Sequence, residues 1–172
     1  ERARAFIREV RRMTEHVKPG PHEGLGLAFA QYKNKAAYLA VVARVYVEPE
    51  QRVPWVRQLW AAIDAGETIN PDGLRNQTEG GLIQAASWTL LEQVQFDRQQ
   101  VRSHDWETYP IFRFDEVPRV EVSILDRPDQ PPLGAGEAAQ GPTAAAIANA
   151  VQRACGVRVR ELPIRPGKLL ET

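Results

Sequence analysis

The chain has one cysteine, one methionine and three histidines in 172 residues, and its 22 basic residues are balanced by 22 acidic ones. Each scarcity excludes something. A lone Cys155 can form neither an intramolecular disulfide nor a thiolate zinc cluster. It sits in an apolar-periodic stretch and reads as a small buried hydrophobe. His16, His22 and His104 are scattered without partners at helical spacing, so no zinc motif is present. Zero net charge offers nothing to steer the chain toward nucleic acid or an anionic membrane. No apolar run is long enough to span a bilayer. There is no GxSxG elbow, no phosphate-loop Lys-Ser/Thr signature and no Cys/His pair in a plausible context. No signal peptide is visible. The chain opens on Glu1 inside a helical pattern and its only methionine is Met13, which predicts a piece cut from something longer. Localisation is therefore not legible at the N-terminus.

What is there describes one α+β domain. Phe6, Val10, Met13 and Val17 recur at 3.6-residue spacing and predict an amphipathic helix, ended by Pro19-Gly20-Pro21. Residues 1–20 are thus a helix and linker. Leu27 to Lys33 and Ala36 to Glu48 predict an antiparallel hairpin turning at Asn34-Lys35. In its second strand Leu39, Val41, Ala43, Val45 and Val47 share one face, and Arg44, Tyr46 and Glu48 the other. Val53 to Asp64 suits either a helix or a third strand. Asn70-Pro71-Asp72 is a strong helix start for a region running to about Leu91, interrupted by Gly73, Gly80 and Gly81. The paired glycines allow two readings, approach by a ligand or tight helix packing. Asp97 to Pro118 is polar and loop-rich. Arg119 to Leu125 predicts a strand, and Asp126 to Pro132 cannot be regular structure. A helix is expected from Thr143 to Cys155, capped by Gly156, then a short strand from Val157 to Leu162. The expected fold is an antiparallel or mixed sheet with the Asn70 and Thr143 helices packed on it.

The stretch Gly134-Ala135-Gly136-Glu137-Ala138-Ala139-Gln140-Gly141-Pro142 carries the most chemistry. It places a carboxylate in a glycine-rich loop that runs into an alanine-rich helix. Glycines let backbone approach a ligand and adopt angles other residues avoid, and Pro142 suits a first helical turn. Glu137 is then a cap, an anion partner or a catalytic base. The loop is not a dinucleotide fingerprint, because Gly141 falls too far along and a proline-rich linker separates it from the preceding strand.

Three motifs in order narrow the choice: Asp64-Ala65-Gly66-Glu67-Thr68-Ile69-Asn70-Pro71, then Gln77-Thr78-Glu79-Gly80-Gly81-Leu82-Ile83-Gln84, then Gly134-Ala135-Gly136-Glu137 before the Ala-Ala-Ile-Ala-Asn-Ala helix. From about Gly24 onward the chain resembles the C-terminal part of the molybdopterin-binding large subunit of the xanthine dehydrogenase and aldehyde oxidoreductase family. Trp106-Glu107-Thr108-Tyr109-Pro110 and Pro128 to Gly134 are most similar to isoquinoline 1-oxidoreductase-like beta subunits. The resemblance implies that residues 1–172 are a C-terminal cofactor-domain fragment. It implies that Glu137 is the general base, taking a proton from a water-derived oxygen as that oxygen reaches an electron-poor carbon. It implies that Gln77 contacts the pterin and that Gly136 lies beside the acid, close to the metal. The resemblance implies that the pterin holds molybdenum, so that no metal ligand is expected from the protein. Implied partners are the remainder of the large subunit, an iron–sulfur electron-transfer subunit or other acceptor, and a small heterocycle or aldehyde. The implied compartment is bacterial cytoplasm or periplasm. Departures are Ala85, where the family often has glycine, and Ala138-Ala139, where a proline-containing sequence is more common. The alternative is a non-catalytic α+β interaction domain that kept the fold and lost the cofactor.

Overall fold

The computed structural model describes residues 2–170. Four strands form one sheet in the order β1-β2-β3-β4: β1 (Glu23–Gln31), β2 (Tyr38–Val47), β3 (Pro54–Asp64) and β4 (Arg119–Ile124). The first three are antiparallel neighbours, and β4 runs parallel to β3. The sheet is therefore mixed and the class α+β, as the pattern predicted. Helices α2 (Pro71–Leu90) and α3 (Gln140–Cys155) cover one face, and α1 (Arg2–Thr14) covers the other. A short α4 (Gly167–Leu170) closes the chain.

Residues of β2 alternate between the two covers. Leu39, Val41, Ala43, Val45 and Val47 enter the core under α2 and α3, whereas Ala40 and Val42 meet Phe6, Val10 and Met13 of α1. The same double burial explains the ambiguous Val53–Asp64 stretch, which is strand β3. Leu59, Ala61 and Ile63 face α2 and α3, while Trp60 and Ala62 face α1. With both faces apolar, the period-two signal disappears from the sequence.

Helix α3 lies unusually close to β1. A Cβ added at Gly24 would sit 2.1 Å from the Ala150 carbonyl oxygen, and one at Gly26 would sit 2.0 Å from that of Ala146. The alanines of α3 and the glycines of β1 remove side chains from both surfaces, so backbone meets backbone. Asn149 Nδ2 then donates to the Leu27 carbonyl (3.1 Å) and the Arg153 guanidinium donates to that of Leu25, which gives partners to carbonyls of the outer strand. Gly24-Leu25-Gly26, expected as a lead-in, is thus the working part of β1.

β1 starts and ends earlier than the expected Leu27 to Lys33, β2 starts at Tyr38 rather than Ala36, and two further differences lie toward the C-terminus. Val157–Leu162 is not a strand. Its chain passes beside α3 and delivers Ile164, buried in the core, whose amide donates to the Thr89 carbonyl at 2.7 Å. Alternation alone predicted a strand, but the segment pairs with no strand of the sheet. The final long helix begins at Gln140 rather than Thr143.

The segment from Asp126 to Gly134 is irregular but tied down. Backbone bonds join Arg127 to Gly66, Glu67 to Gln130 and Leu133 to Ala65. Gly66 has φ +73°, and an added Cβ would lie 2.1 Å from the Pro131 carbonyl oxygen. Beside it, the fully buried Asp64 carboxylate accepts from Arg2 (2.5 and 3.0 Å), Arg127 (3.2 Å) and the Gly66 amide (3.0 Å). Burial opposes its charge, but the Arg2 bond, the Gly66 amide and Arg127 outweigh it, and the carboxyl is held below its ordinary value. The clamp joins α1, the end of β3 and the segment that leads to Glu137.

Candidate functional site

The turn Gly136–Ala139 precedes α3 and rests on two buried alanines, Ala138 and Ala139. Glu137, next to them, is exposed. Three separate elements hold the turn. Ala37, just before β2, donates its amide to the Gly134 carbonyl at 3.1 Å. Gln77 of α2 donates from Nε2 to the Gly136 carbonyl at 2.6 Å. Tyr32 donates its hydroxyl to Glu137 Oε2 at 2.5 Å. The segment 134–137 that leads into the turn and opens it is therefore gripped at three of its four residues.

This geometry disposes of the capping alternative. The N-cap of α3 is Ala139, with no side-chain cap bond, and the Glu137 carboxylate bonds to Tyr32. It also separates the glycines. Gly134 and Gly136 do not have left-handed backbone angles; among the described glycines only Gly66 and Gly156 do. Space, not conformation, distinguishes them: an added Cβ at Gly80, Gly134, Gly136 or Gly141 would meet nothing within 4 Å. Gly81 is different, since its Cβ would lie 3.0 Å from that of Ala139. Of the two readings of the paired glycines, tight packing accounts for Gly81 and leaves Gly80 free.

The three residues singled out from separate motifs thus lie together. Gln77 bonds to Gly136, and Glu137 follows. Among the described residues the Gln77 amide oxygen has no hydrogen-bond partner, so an acceptor beside the turn stays available. Gln77 also lines a groove of about 650 Å³ with Gly80, Gln84, Trp106, Phe112 and Gln140. Its far wall is the loop around Trp106, where the Tyr109 hydroxyl donates to Glu92 Oε2 at 2.9 Å. A groove of similar volume between α1 and residues 126–130 contains none of Gln77, Gly136 and Glu137.

Sequence reasoning missed Tyr32. It stands in a short 3-10 turn between β1 and β2, 105 residues from Glu137. Nothing local marks it. Lys33 lies over the Tyr32 ring, its ammonium 5.0 Å from the centroid. The Tyr32 side chain first, and the charge of Glu137 after it, hold that ammonium above the ordinary lysine value.

Residues 8–118 match the family model of the molybdopterin cofactor-binding domain. The chain belongs to this family. It is 44% identical over 147 residues to one of the subunits of nicotinate dehydrogenase from Pseudomonas putida, covering 82% of this chain and 12% of that protein. It is 32% identical over 169 residues to the beta chain of isoquinoline 1-oxidoreductase from Brevundimonas diminuta, covering 96% of this chain and 21% of the relative. The fold superimposes on the solved quinoline 2-oxidoreductase of Pseudomonas putida 86 with TM-score 0.72 and 30% identity, over 78% of this chain and 18% of that one. The chain thus spans about an eighth to a fifth of the length of these proteins. It is a fragment of a molybdenum-binding subunit of the xanthine dehydrogenase and aldehyde oxidoreductase family. The family match ends at residue 118, ahead of Glu137.

Proposed function

We propose that this domain is the C-terminal part of a molybdenum hydroxylase subunit, that it supplies the general base Glu137, and that it is inactive alone. The observation that carries the proposal is the bond from Gln77 to the Gly136 carbonyl, which brings two separate motifs into contact with Glu137 alongside. The residues fit a flat polar cofactor. Four glycines present open backbone that this chain's own packing does not require, and the free amide oxygen of Gln77 suits a pterin edge. When bound, the molybdenum–pterin group supplies a two-electron acceptor.

The work of this chain is proton transfer and alignment. Glu137 Oε2 is engaged by Tyr32, and Oε1 has no partner among the described residues. Oε1 is the atom that accepts the proton of the water-derived nucleophile. A base in reach of its donor typically contributes about 10²–10⁴-fold to rate. Gln77 fixes the neighbouring carbonyl, so the turn keeps its place while the carboxyl changes charge. The substrate is an N-heterocycle or aldehyde. The remainder of the subunit supplies the other cofactor contacts, and an iron–sulfur subunit or another acceptor removes the electrons.

The test is Glu137→Gln in the full-length enzyme. Turnover should fall by at least about 10²-fold while molybdenum content and pterin fluorescence stay at wild-type levels. Near-normal turnover would refute the base assignment. A parent protein that contains neither molybdenum nor pterin after expression in a cofactor-competent host would favour the non-catalytic interaction domain instead.

A further inference from the structure

Resting on the reading of Glu137 as the base, we propose that Tyr32 is the residue that positions its carboxylate. Glu137 is exposed and has three side-chain rotors. Among the described residues, the Tyr32 hydroxyl is the one hydrogen-bond partner of that side chain. Among the described residues no other hydrogen bond fixes where Oε1 sits. At 2.5 Å the contact has the length of a charge-assisted O–H···O⁻ bond.

Tyr32 is itself rigidly held. Its amide donates to the Ala37 carbonyl and its carbonyl accepts from the Ala36 amide, both at 2.8 Å. The turn includes Lys33 at φ 51° and Asn34 at φ 58°, left-handed angles that non-glycine residues seldom adopt. The ring packs at the margin of the main core, and Lys33 covers it. The Ala37 amide that follows holds Gly134. One turn therefore sets both the start of the catalytic loop and the orientation of the acid at its end.

The division of labour on the carboxylate is specific. Tyr32 occupies Oε2 and leaves Oε1 for the proton. Losing the hydroxyl would leave the charge in place but free the side chain to rotate. Misplacement of a reacting group by about 1 Å can cost about 10²-fold. The loss should appear in kcat, because Tyr32 does not line the groove and Gln77 bonds to Gly136 instead.

The experiment uses the full-length, cofactor-loaded enzyme. Tyr32→Phe keeps the ring and removes the hydroxyl. The expected result is a fall in kcat of about tenfold to a hundredfold, with KM, molybdenum content and Tm unchanged. A readout independent of turnover is the Glu137 carboxylate stretch in the infrared, assigned as the band lost in Glu137→Gln. In Tyr32→Phe that band should shift and broaden. A fluorotyrosine at position 32 keeps the donor, and should keep turnover within about twofold of wild type while moving the band the opposite way, because the hydroxyl is a stronger donor. An unmoved band with unchanged kcat overturns the proposal, as does a loss of kcat that merely follows a loss of molybdenum or a lower Tm. If Glu137→Gln turns over normally, the base reading fails. A shifted band in Tyr32→Phe would still establish the contact, so the two failures are distinguishable.

Discussion

Asp64 is the clearest case of a residue whose surroundings decide its effect. Its carboxylate is fully buried, yet four donated bonds from Arg2, Arg127 and the Gly66 amide hold it charged. Asp64→Asn keeps the shape and removes the charge. The two guanidinium groups are partly exposed and can turn to water, and asparagine keeps one acceptor oxygen, so the loss should be on the order of one bond to a charged group, about 2–3 kcal/mol. A urea denaturation midpoint would measure it. The companion effect is a looser 126–134 segment, visible as faster amide exchange at Arg127 and Leu133. Nothing in the sequence announced this clamp. Asp64 was legible as part of a motif, but its arginine partners lie 62 and 63 residues away.

At the scale of elements, the glycines divide into two groups with opposite predictions. Gly26→Ala would drive a methyl against the Ala146 carbonyl oxygen at 2.0 Å, and neither backbone can yield cheaply. Overpacking of this kind costs about 1–3 kcal/mol or more, and α3 should tilt away from β1. Thermal unfolding would show the loss. Gly80→Ala meets nothing, and in the middle of α2 it should be neutral or stabilise by about 0.5–1 kcal/mol. Lower molybdenum content in the same variant of the full enzyme is the expected signature of a face that receives the cofactor. Unchanged content would remove Gly80 from that face. Composition alone could not separate these glycines, since what each one meets is set by elements distant in sequence. The elements themselves were largely legible: the Asn70 cap accepts from the Gly73 amide at 2.9 Å, and Gly156 ends α3 at φ 82°. Both are local rules acting locally. The third strand was not legible, because helices on both sides erased its alternation. The final predicted strand failed because alternation says nothing about an available edge.

Across the whole molecule, acid should act first where α1 meets the rest. Glu9 of α1 is held at about 2 by its bonds to Arg12 and to the Ser123 hydroxyl of β4, the latter at 2.7 Å. Asp64, which holds Arg2 of α1, is also lowered. Both groups are more acidic folded than unfolded. Their contributions are complete above the unfolded values of about 4 and are lost as pH falls through the lowered folded values. Fluorescence and amide exchange between pH 5 and about 2 should show α1 releasing before the α2 and α3 core, and Asp64→Asn should flatten the dependence.

The grip on Glu137 has a consequence in time as well as in space. Its tyrosine lies 105 residues earlier in the chain, and the glutamine that steadies its neighbour lies 59 residues earlier. Both rings must close before the acid has a fixed address, and long closures come late because their entropy must be met first. A chain emerging from the ribosome therefore builds its sheet and first helices with the carboxylate still unplaced. The docking of α3 on β1 closes over still longer spans, 122 residues from Leu27 to Asn149 and 128 from Leu25 to Arg153, so the placing of Glu137 belongs to the same late stage of assembly.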